Sequence, residues 1–222
     1  MKQSKVVALI PLREGSKEIP LKNIKNIGGK PLCWWVLNAA ISSNQFDSVF
    51  VSTESKLIAS VVESFKLGVE IIERPKGLAE DSSTTESVML HFLDNVEFET
   101  IVTIQATSPL LRSSDLTSAL AEFDKGGYDS MLSVVELKKF VWSKNSVPLN
   151  YHPQKRPFRN DIHPVYVENG AFYITKKDIL IVDKCRLGGS IGLFVMEHNS
   201  LIELDSKEDW VEIERRLFID SR

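Results

Sequence analysis

The sequence predicts an α/β fold, with a mostly parallel sheet and helices packed on both of its faces. Short, largely apolar runs, which are typical of strands covered on both sides, occur at 6–10, 48–52, 69–72 and 101–104. Segments with helical spacing of apolar residues lie between these runs, so strands and helices alternate along the chain. This alternation favours crossover connections and therefore a doubly wound sheet.

The first half of the chain carries three strands and two helices of this pattern. The apolar run from Val6 to Ile10 ends at Pro11, and a polar stretch follows at 13–30. Pro31 stands at a first-turn position, and the helix after it is indicated by apolar residues at helical spacing, namely Leu32, Trp35, Val36, Ala39 and Ala40. The next elements are predicted as strand, helix and strand, at 48–52, 56–65 and 69–72.

The second half continues the alternation and then interrupts it. Ser83-Thr84-Thr85-Glu86 matches a capping box and predicts a helix that runs through Phe92. A strand, a helix and a strand are predicted next, at 101–104, 114–123 and 128–135. Residues 137–168 contain four prolines among basic and aromatic side chains, and an irregular stretch of this length is usually functional or packs on another chain. Regular structure resumes with a turn at Asn169-Gly170, strands at 171–174 and 191–196, and a final helix near Ser206.

Composition restricts the classes of function. A chain of 222 residues suits one α/β domain, and two small domains less well, so we expect 1–222 to form a single domain. The net charge of −3 argues against a general nucleic-acid binder, which needs a basic excess. The two cysteines have no metal-ligand spacing, no signal peptide is evident, and no run approaches the roughly 20 apolar residues that span a bilayer. We therefore expect a cytoplasmic protein that binds neither nucleic acid nor membrane.

A basic, glycine-containing segment, REGSKEIPLKN at 13–23, directly follows the first strand. Gly15 permits backbone conformations in which amides converge on an anion, and Arg13, Lys17 and Lys22 add three positive charges. Together these groups could hold a triphosphate and offset the charge of a leaving pyrophosphate. The segment matches neither a Walker A loop nor a GxGxxG turn. The alternative is a solvated basic loop.

Two further polar segments are candidates for substrate contacts. IQATSPLLR at 104–112 begins at the end of a predicted strand and places polar side chains, Gln105 among them, where substrates are commonly bound in such sheets. The alternative is an ordinary helix-entry loop. In KRPFRNDIHPVYVENGAFYI at 155–174, Arg156 and Arg159 could receive a sugar carboxylate through paired hydrogen bonds, or could form the basic rim of a surface hairpin.

Two acids precede the last helix. In an extended segment Glu203 and Asp205 lie on one side, which suits one or two oxygen contacts to Mg²⁺. Asp205 could equally cap the final helix, because the following Ser206 to Asp209 also offers capping chemistry.

These segments, in this order, resemble those of the CMP-N-acetylneuraminate synthetases, the cytidylyltransferases that activate sialic acids. The resemblance spans nearly the whole chain, and its most specific pieces are SKEIPLKN, IQATSP, GYDSMLSV, PQKRPFR and YVENGAFYI. It implies a Rossmann-like nucleotidyltransferase fold, dependence on magnesium, and a homodimer. In the family, the segment matching 137–168 extends over the partner subunit and helps to complete its site.

The resemblance also implies roles for individual residues. The phosphate-binding motif of the family matches positions that would contact triphosphate and ribose, namely Arg13, Ser16, Lys17, Lys22 and Asn23. The cytosine-reading positions fall on Arg74 and Thr85. The sugar contacts fall on Gln105, Arg159 and Tyr173, and the paired metal carboxylates on Glu203 and Asp205.

The chain departs from the family pattern at Glu14 and Glu18, where relatives commonly carry glycine or a small residue. Two carboxylates beside a phosphate site should repel a triphosphate unless they point away or touch magnesium. An aromatic pair that some bacterial relatives place near Arg186–Leu187 is missing.

The hypothesis that follows is transfer of CMP from CTP to the anomeric hydroxyl of a nonulosonic acid, with release of pyrophosphate. N-acetylneuraminic acid, KDN and legionaminic-type acids remain alternative acceptors. The same reaction on the eight-carbon sugar Kdo ranks second. A non-catalytic relative that binds nucleotides as a regulator or scaffold is the alternative from another class.

Overall fold

The computed structural model describes residues 5–220, with side chains to residue 218, and contains nine strands and six helices within that range. The strands are β1 (Val6–Pro11), β2 (Asn26–Ile27), β3 (Lys30–Pro31), β4 (Ser48–Thr53), β5 (Glu70–Glu73), β6 (Thr100–Ile104), β7 (Ser130–Leu137), β8 (Val165–Lys176) and β9 (Ile191–Met196). The helices are α1 (Leu32–Ser43), α2 (Lys56–Ser64), α3 (Thr85–Leu93), α4 (Ser113–Gly126), α5 (Lys177–Asp183) and α6 (Lys207–Asp220). The predicted alternation of strands and helices is confirmed, with small shifts at element ends.

Seven strands form one mixed sheet in the order β5-β4-β1-β6-β8-β7-β9. The pairs β1–β4, β1–β6, β4–β5 and β7–β9 are parallel, whereas β8 runs antiparallel to both of its neighbours, β6 and β7. Six of the seven strands therefore share one direction, and the predicted mostly parallel sheet is confirmed. β2 and β3 form a separate two-stranded ribbon.

Helices cover both faces of the sheet. On one face α1, α2 and α4 bury apolar residues such as Val36, Ile58 and Leu120 against the strands. On the other face α3 packs Met89 and Phe92 against β1 and β6. The strands between these layers are almost fully buried, which explains why their sequences read as continuous apolar runs.

The C-terminal helix packs on the segment that follows β1 rather than on the sheet. Ile213 of α6 is fully buried in a cluster with Ile19, Ile27 and Leu204, and Leu217 joins the same cluster. Burial of such side chains contributes about 1.5–3 kcal/mol each. This cluster holds α6 and the residues before it against the segment that follows β1.

Two local expectations are wrong. Asn169 and Gly170 lie inside the long strand β8 and not in a turn ahead of it, because Gly170 adopts a positive φ of 64° at a bulge opposite β7. The helix α3 is capped by Thr84, whose side chain accepts a hydrogen bond from the Ser87 amide, and not by Ser83. Glu86 does not complete a capping box there, because its carboxylate pairs with Arg186.

The segment 138–164 is irregular, as expected for its proline content. Its short turns at Pro153–Lys155 and Arg159–Asp161 are joined by loops. Arg156 stacks on Phe140, whose ring also packs against Tyr151 at a centroid distance of 4.5 Å. Phe158 is 84% exposed at the tip of this segment. None of the helices described is long and apolar enough to cross a membrane.

Candidate active site

A cleft of about 260 Å³ lies at the carboxyl ends of β1, β4, β5 and β6, beside the first turn of α3. This is the edge of the sheet at which ligands bind in open α/β folds. The segment after β1 contributes Arg13, Gly15, Ser16, Lys22 and Asn23 to its walls. The loops after β5 and β6 and the start of α3 contribute Arg74, Gln105 and Thr85. Eight of the residues predicted from the sequence therefore line one cleft.

The segment after β1 is held in shape by its own polar groups. The side-chain amide nitrogen Nδ2 of Asn23 donates a hydrogen bond of 2.8 Å to the backbone carbonyl of Arg13, and Asn23 is buried. Glu14 and Glu18 are exposed, and neither is among the described residues that line the cleft. The backbone amide of Glu14 points inward and donates to the carboxylate of Glu54 at 2.7 Å. The two acids thus present their charge to solvent.

Lys22 joins this segment to the acids that precede α6. Its ammonium donates to the Leu204 carbonyl at 2.9 Å and to the Asp205 carboxylate at 3.3 Å, across 183 residues of sequence. The Lys22 side chain is 16% exposed, whereas that of Asp205 is 73% exposed. Asp205 is therefore held by an ion pair with Lys22, while most of its side chain stays exposed to solvent.

The helix α6 does not use Asp205 as its cap. The hydroxyl of Ser206 accepts a hydrogen bond from the Asp209 amide, and the Asp209 carboxylate accepts from the amides of Ser206 and Asp205. Capping is thus completed by Ser206 and Asp209. The alternative reading of Asp205 as a helix cap is wrong for its side chain.

Glu203 lies in a more enclosed and more negative environment. Its carboxylate sits directly over Gly170, where an added Cβ would approach Cδ and both oxygens of Glu203 to 2.8 Å. Burial raises the pKa of Glu203, and the charges of Asp205 and Glu168 raise it further. A cation placed among these carboxylates would relieve their mutual repulsion.

These groups fit a magnesium ion that shares its coordination with a nucleotide. Mg²⁺ prefers oxygen ligands and is usually held by one or two carboxylates together with substrate phosphates. Glu203 and Asp205 supply two such carboxylates. No group of three or more histidine, cysteine, aspartate or glutamate side chains suited to a metal occurs within residues 5–218, so an all-protein metal cage is absent there.

Arg74 is buried at the base of the cleft with one counter-charge. Its Nε and one terminal nitrogen donate to Oε2 of Glu54 at 3.2 and 3.0 Å. The side chains of Arg74 and Glu54 are 2% and 10% exposed. Burial lowers the pKa of Arg74, and the ion pair with Glu54 opposes that effect.

Asp81, in the loop before α3, pairs with both cations predicted to hold phosphates. Its carboxylate lies 2.9 Å from the Arg13 guanidinium and 2.7 Å from the Lys17 ammonium. The hydrogen bond from Lys17 is the main reason that the pKa of Asp81 is lowered. Lys17 sits beyond the residues that line the cleft, at a side-chain exposure of 79%.

The predicted sugar-binding tyrosine lies one strand beyond Gln105. Tyr173 on β8 pairs with Thr103 of β6, and its hydroxyl donates to Glu168 at 3.0 Å. Arg186 stacks over the Tyr173 ring at 4.5 Å and is bound in turn by Glu86. Burial raises the pKa of Tyr173 to about 12, so the hydroxyl keeps its proton.

Five of the predicted site residues do not line the cleft, namely Lys17, Arg159, Tyr173, Glu203 and Asp205. Among them, Arg159 belongs to a different pocket. It lies in the irregular segment and lines this pocket with Lys138, Lys139, Phe140 and Arg156. Its assignment as a sugar contact stays a prediction.

Four side chains that sequence reasoning did not single out shape the site, namely Glu54, Asp81, Glu168 and Arg186. The position of Glu54 immediately after a strand could have marked it, because the other candidates were found at the ends of strands. The contacts of the other three depend on packing between distant segments, which leaves no local signal.

Comparison with known proteins identifies a family of related sequences. A family model described as cytidylyltransferase matches residues 7–214. The N-acylneuraminate cytidylyltransferase A of Danio rerio is 38% identical over 224 residues, which cover 97% of this chain and 51% of that protein. The N-acylneuraminate cytidylyltransferase of Streptococcus agalactiae is 28% identical over 97% of this chain and 54% of that protein. The chain spans about half the length of the curated relatives it matches.

Solved structures share the fold. CMP:2-keto-3-deoxy-manno-octonic acid synthetase, determined in complex with CTP, superposes with a TM-score of 0.74 and 18% identity, covering 98% of this chain and all of that one. The 4-diphosphocytidyl-2C-methyl-D-erythritol synthase of Anaerococcus prevotii gives a TM-score of 0.69 and 12% identity, covering 96% and 98% of the two chains.

Proposed function

Since the chain belongs to the cytidylyltransferase family, we propose that it transfers CMP from CTP to the anomeric hydroxyl of a sialic-acid-like nonulosonic acid, with release of pyrophosphate. The acceptor is proposed from relatives that are named N-acylneuraminate cytidylyltransferases, two of them 38% identical to this chain.

The observation that carries the proposal is the contact of 3.3 Å between Lys22 and Asp205. It joins a cation that lines the cleft to an acid that precedes α6, which supports the proposal that the two act on one nucleotide. A nucleotidyl transfer needs this combination, because phosphoryl chemistry depends mainly on positioning and charge neutralisation.

In the proposed reaction the anomeric hydroxyl oxygen bonds to the α-phosphorus of CTP, and the bond from that phosphorus to the bridging oxygen of the β-phosphate breaks. Arg13 and Lys17 hold the β- and γ-phosphates, and Lys22 stabilises the α-phosphate as its charge increases. Asp205, or a water that it holds, accepts the proton of the hydroxyl. Magnesium bound by Asp205 and Glu203 would supply further neutralisation of the phosphates and a lower pKa of the attacking hydroxyl.

The site is proposed to be completed by a second copy of the chain. Arg159 is exposed and does not line the cleft of its own chain, but lines a different pocket with three further cations. Phe158 beside it is 84% exposed. A homodimer in which residues 137–168 reach the partner's cleft would bring Arg159 to the sugar carboxylate and cover Phe158.

We propose a cytoplasmic location, because the two cysteines, Cys33 and Cys185, are unpaired, as is usual in a reducing compartment.

A pyrophosphate-release assay tests the proposal. The protein is supplied with CTP, magnesium and one acceptor at a time, namely N-acetylneuraminic acid, KDN, a legionaminic-type acid or Kdo. We expect turnover with at least one nonulosonic acid and a loss of at least about a hundredfold in Arg13→Ala, because a donor to developing charge is removed. Arg215→Ala is the control, since Arg215 is an exposed arginine on α6.

The outcomes separate the alternatives. Turnover with Kdo alone would reassign the acceptor, and CTP binding without turnover would favour a nucleotide-binding regulator. Near-normal turnover in Arg13→Ala would end the assignment of the segment after β1 to the phosphates.

A further inference from the structure

We propose that Glu54 is a positioning residue that makes the site selective for cytosine, by fixing Arg74 and the segment after β1 in one arrangement. The inference rests on the proposed function, and in particular on the cytosine-reading role that the family resemblance implies for Arg74. Glu54 does not line the cleft itself, but its carboxylate binds Arg74, which does.

The carboxylate of Glu54 divides its two oxygens between two parts of the site. Oε2 accepts from Nε and a terminal nitrogen of Arg74, at 3.2 and 3.0 Å. Oε1 accepts from the backbone amide of Glu14 at 2.7 Å. Glu14 follows β1, Glu54 follows β4 and Arg74 follows β5, so one carboxylate connects the ends of three neighbouring parallel strands.

Burial makes this connection rigid. The side chains of Arg74 and Glu54 are 2% and 10% exposed, so water is largely excluded from the pair. A charged donor or acceptor left without its partner at such a depth is strongly unfavourable. The guanidinium therefore has one well-defined orientation, reinforced by the hydrogen bond of 3.0 Å from the Arg74 amide to the Thr53 carbonyl.

Fixing the guanidinium determines which of its hydrogens face the cleft. A guanidinium has five N–H donors, and Glu54 takes two of them through Nε and one terminal nitrogen. The remaining donors belong to the terminal nitrogens, and Arg74 lines the cleft. Cytosine offers two adjacent acceptors, N3 and O2, whereas uracil carries a hydrogen on N3. A guanidinium that cannot turn away would place donor against donor with uracil, which is the kind of mismatch that a polar site rejects.

The competing explanation is that Glu54 only neutralises a buried arginine. In that case its replacement would weaken stability and the use of every nucleotide alike. A positioning role instead requires that the preference for CTP over UTP changes, because an arginine released from Glu54 can turn to suit either base.

The experiment measures kcat/KM for CTP and UTP in wild type, Glu54→Gln, Glu54→Asp and the control Glu73→Gln. Glu73 is exposed at the end of β5 and adjoins Arg74, so the control removes an equal charge nearby. We expect Glu54→Gln to lower the CTP/UTP ratio by about tenfold to a hundredfold, since a charged hydrogen-bond acceptor is lost. Glu54→Asp, which keeps the charge, should restore part of the ratio, and Glu73→Gln should leave it unchanged.

All variants are assayed at a temperature below their measured midpoints of thermal unfolding. Equilibrium binding of CTP and UTP is a second readout. An unchanged CTP/UTP ratio in folded Glu54→Gln would overturn the inference. If wild type binds CTP over UTP but turns over no nonulosonic acid, the proposed reaction fails while the binding ratios still decide the role of Glu54. If Glu54→Gln is too unstable to assay, an unchanged ratio in Glu54→Asp overturns the inference, and a lowered ratio supports it.

Discussion

Gly170 offers a sharp test of how the acidic part of the site is built. It lies in the bulge of β8 with φ of 64°, and a Cβ at this position would lie 2.8 Å from Cδ, Oε1 and Oε2 of Glu203. Ordinary contact begins near 3.4 Å, so in Gly170→Ala one of the two groups must move by about 0.6 Å. We expect the carboxylate to move, because it ends a flexible side chain whereas Gly170 is held in the sheet.

Gly68→Ala is the matched control. Gly68 has a positive φ of 73°, and no atom lies within 4 Å of its added Cβ. Both variants should lose about 1 kcal/mol from the left-handed backbone conformation. Gly170→Ala should lose a further 1–3 kcal/mol, roughly, from overpacking against Glu203. Chemical denaturation of both variants measures this difference.

The proposed magnesium site predicts a functional consequence of Gly170→Ala, which would be measured as a change in the magnesium dependence. Metal ligands tolerate displacements of about 0.2 Å, and Mg²⁺ requires near-ideal geometry. A shift of Glu203 by about 0.6 Å should therefore raise the magnesium concentration for half-maximal turnover by roughly tenfold or more. Gly68→Ala should leave it unchanged.

A double-mutant cycle shows whether the clash is with Glu203. In a Glu203→Ala background the added methyl of Gly170→Ala meets no carboxylate, so its cost should fall to that of Gly68→Ala. If instead Gly170→Ala costs the same with and without Glu203, the carboxylate does not rest on Gly170 and the reasoning is refuted.

Two further predictions concern the charges of the cleft. Asp81→Asn removes the carboxylate that pairs with Arg13 and Lys17, so CTP should bind about threefold to tenfold more tightly in an equilibrium titration. Glu73→Gln is the control of equal charge change, because Glu73 is exposed and does not line the cleft. Weaker binding of CTP to Asp81→Asn would show that Asp81 assists the nucleotide. The raised pKa of Glu203 means that this carboxylate takes up a proton at a higher pH than an ordinary glutamate does. Activation by magnesium should therefore weaken as the pH falls, beginning at that higher pH, because a protonated carboxyl binds the ion poorly. Magnesium titrations at several pH values measure this dependence, which Glu203→Gln should flatten.

Much of the fold follows from local patterns. The apolar runs at 6–10, 48–52 and 101–104 are strands because the sheet buries both of their faces. The segments after these strands reach one edge of the sheet, which is why most of the site residues predicted from the sequence line a single cleft.

Other features have no local signature. The insertion of β8 antiparallel between β6 and β7 was not predicted, because the alternation of apolar residues does not encode strand direction or order. The predicted capping box at Ser83 is wrong because the Glu86 carboxylate pairs with Arg186, which is distant in sequence. A hydrogen bond to a charged guanidinium is stronger than one to a backbone amide.

The sequence by itself determined the succession of strands and helices, the placement of polar segments at strand ends, and the resemblance to sialic-acid cytidylyltransferases. Only the tertiary structure decided that Lys22 meets Asp205 and that Glu54 holds Arg74. Periodicity reports which face of an element is buried, whereas these contacts depend on how separate segments pack. The apolar cluster of Ile19 and Ile213 brings the first of these pairs together, and the order of adjacent strands brings the second.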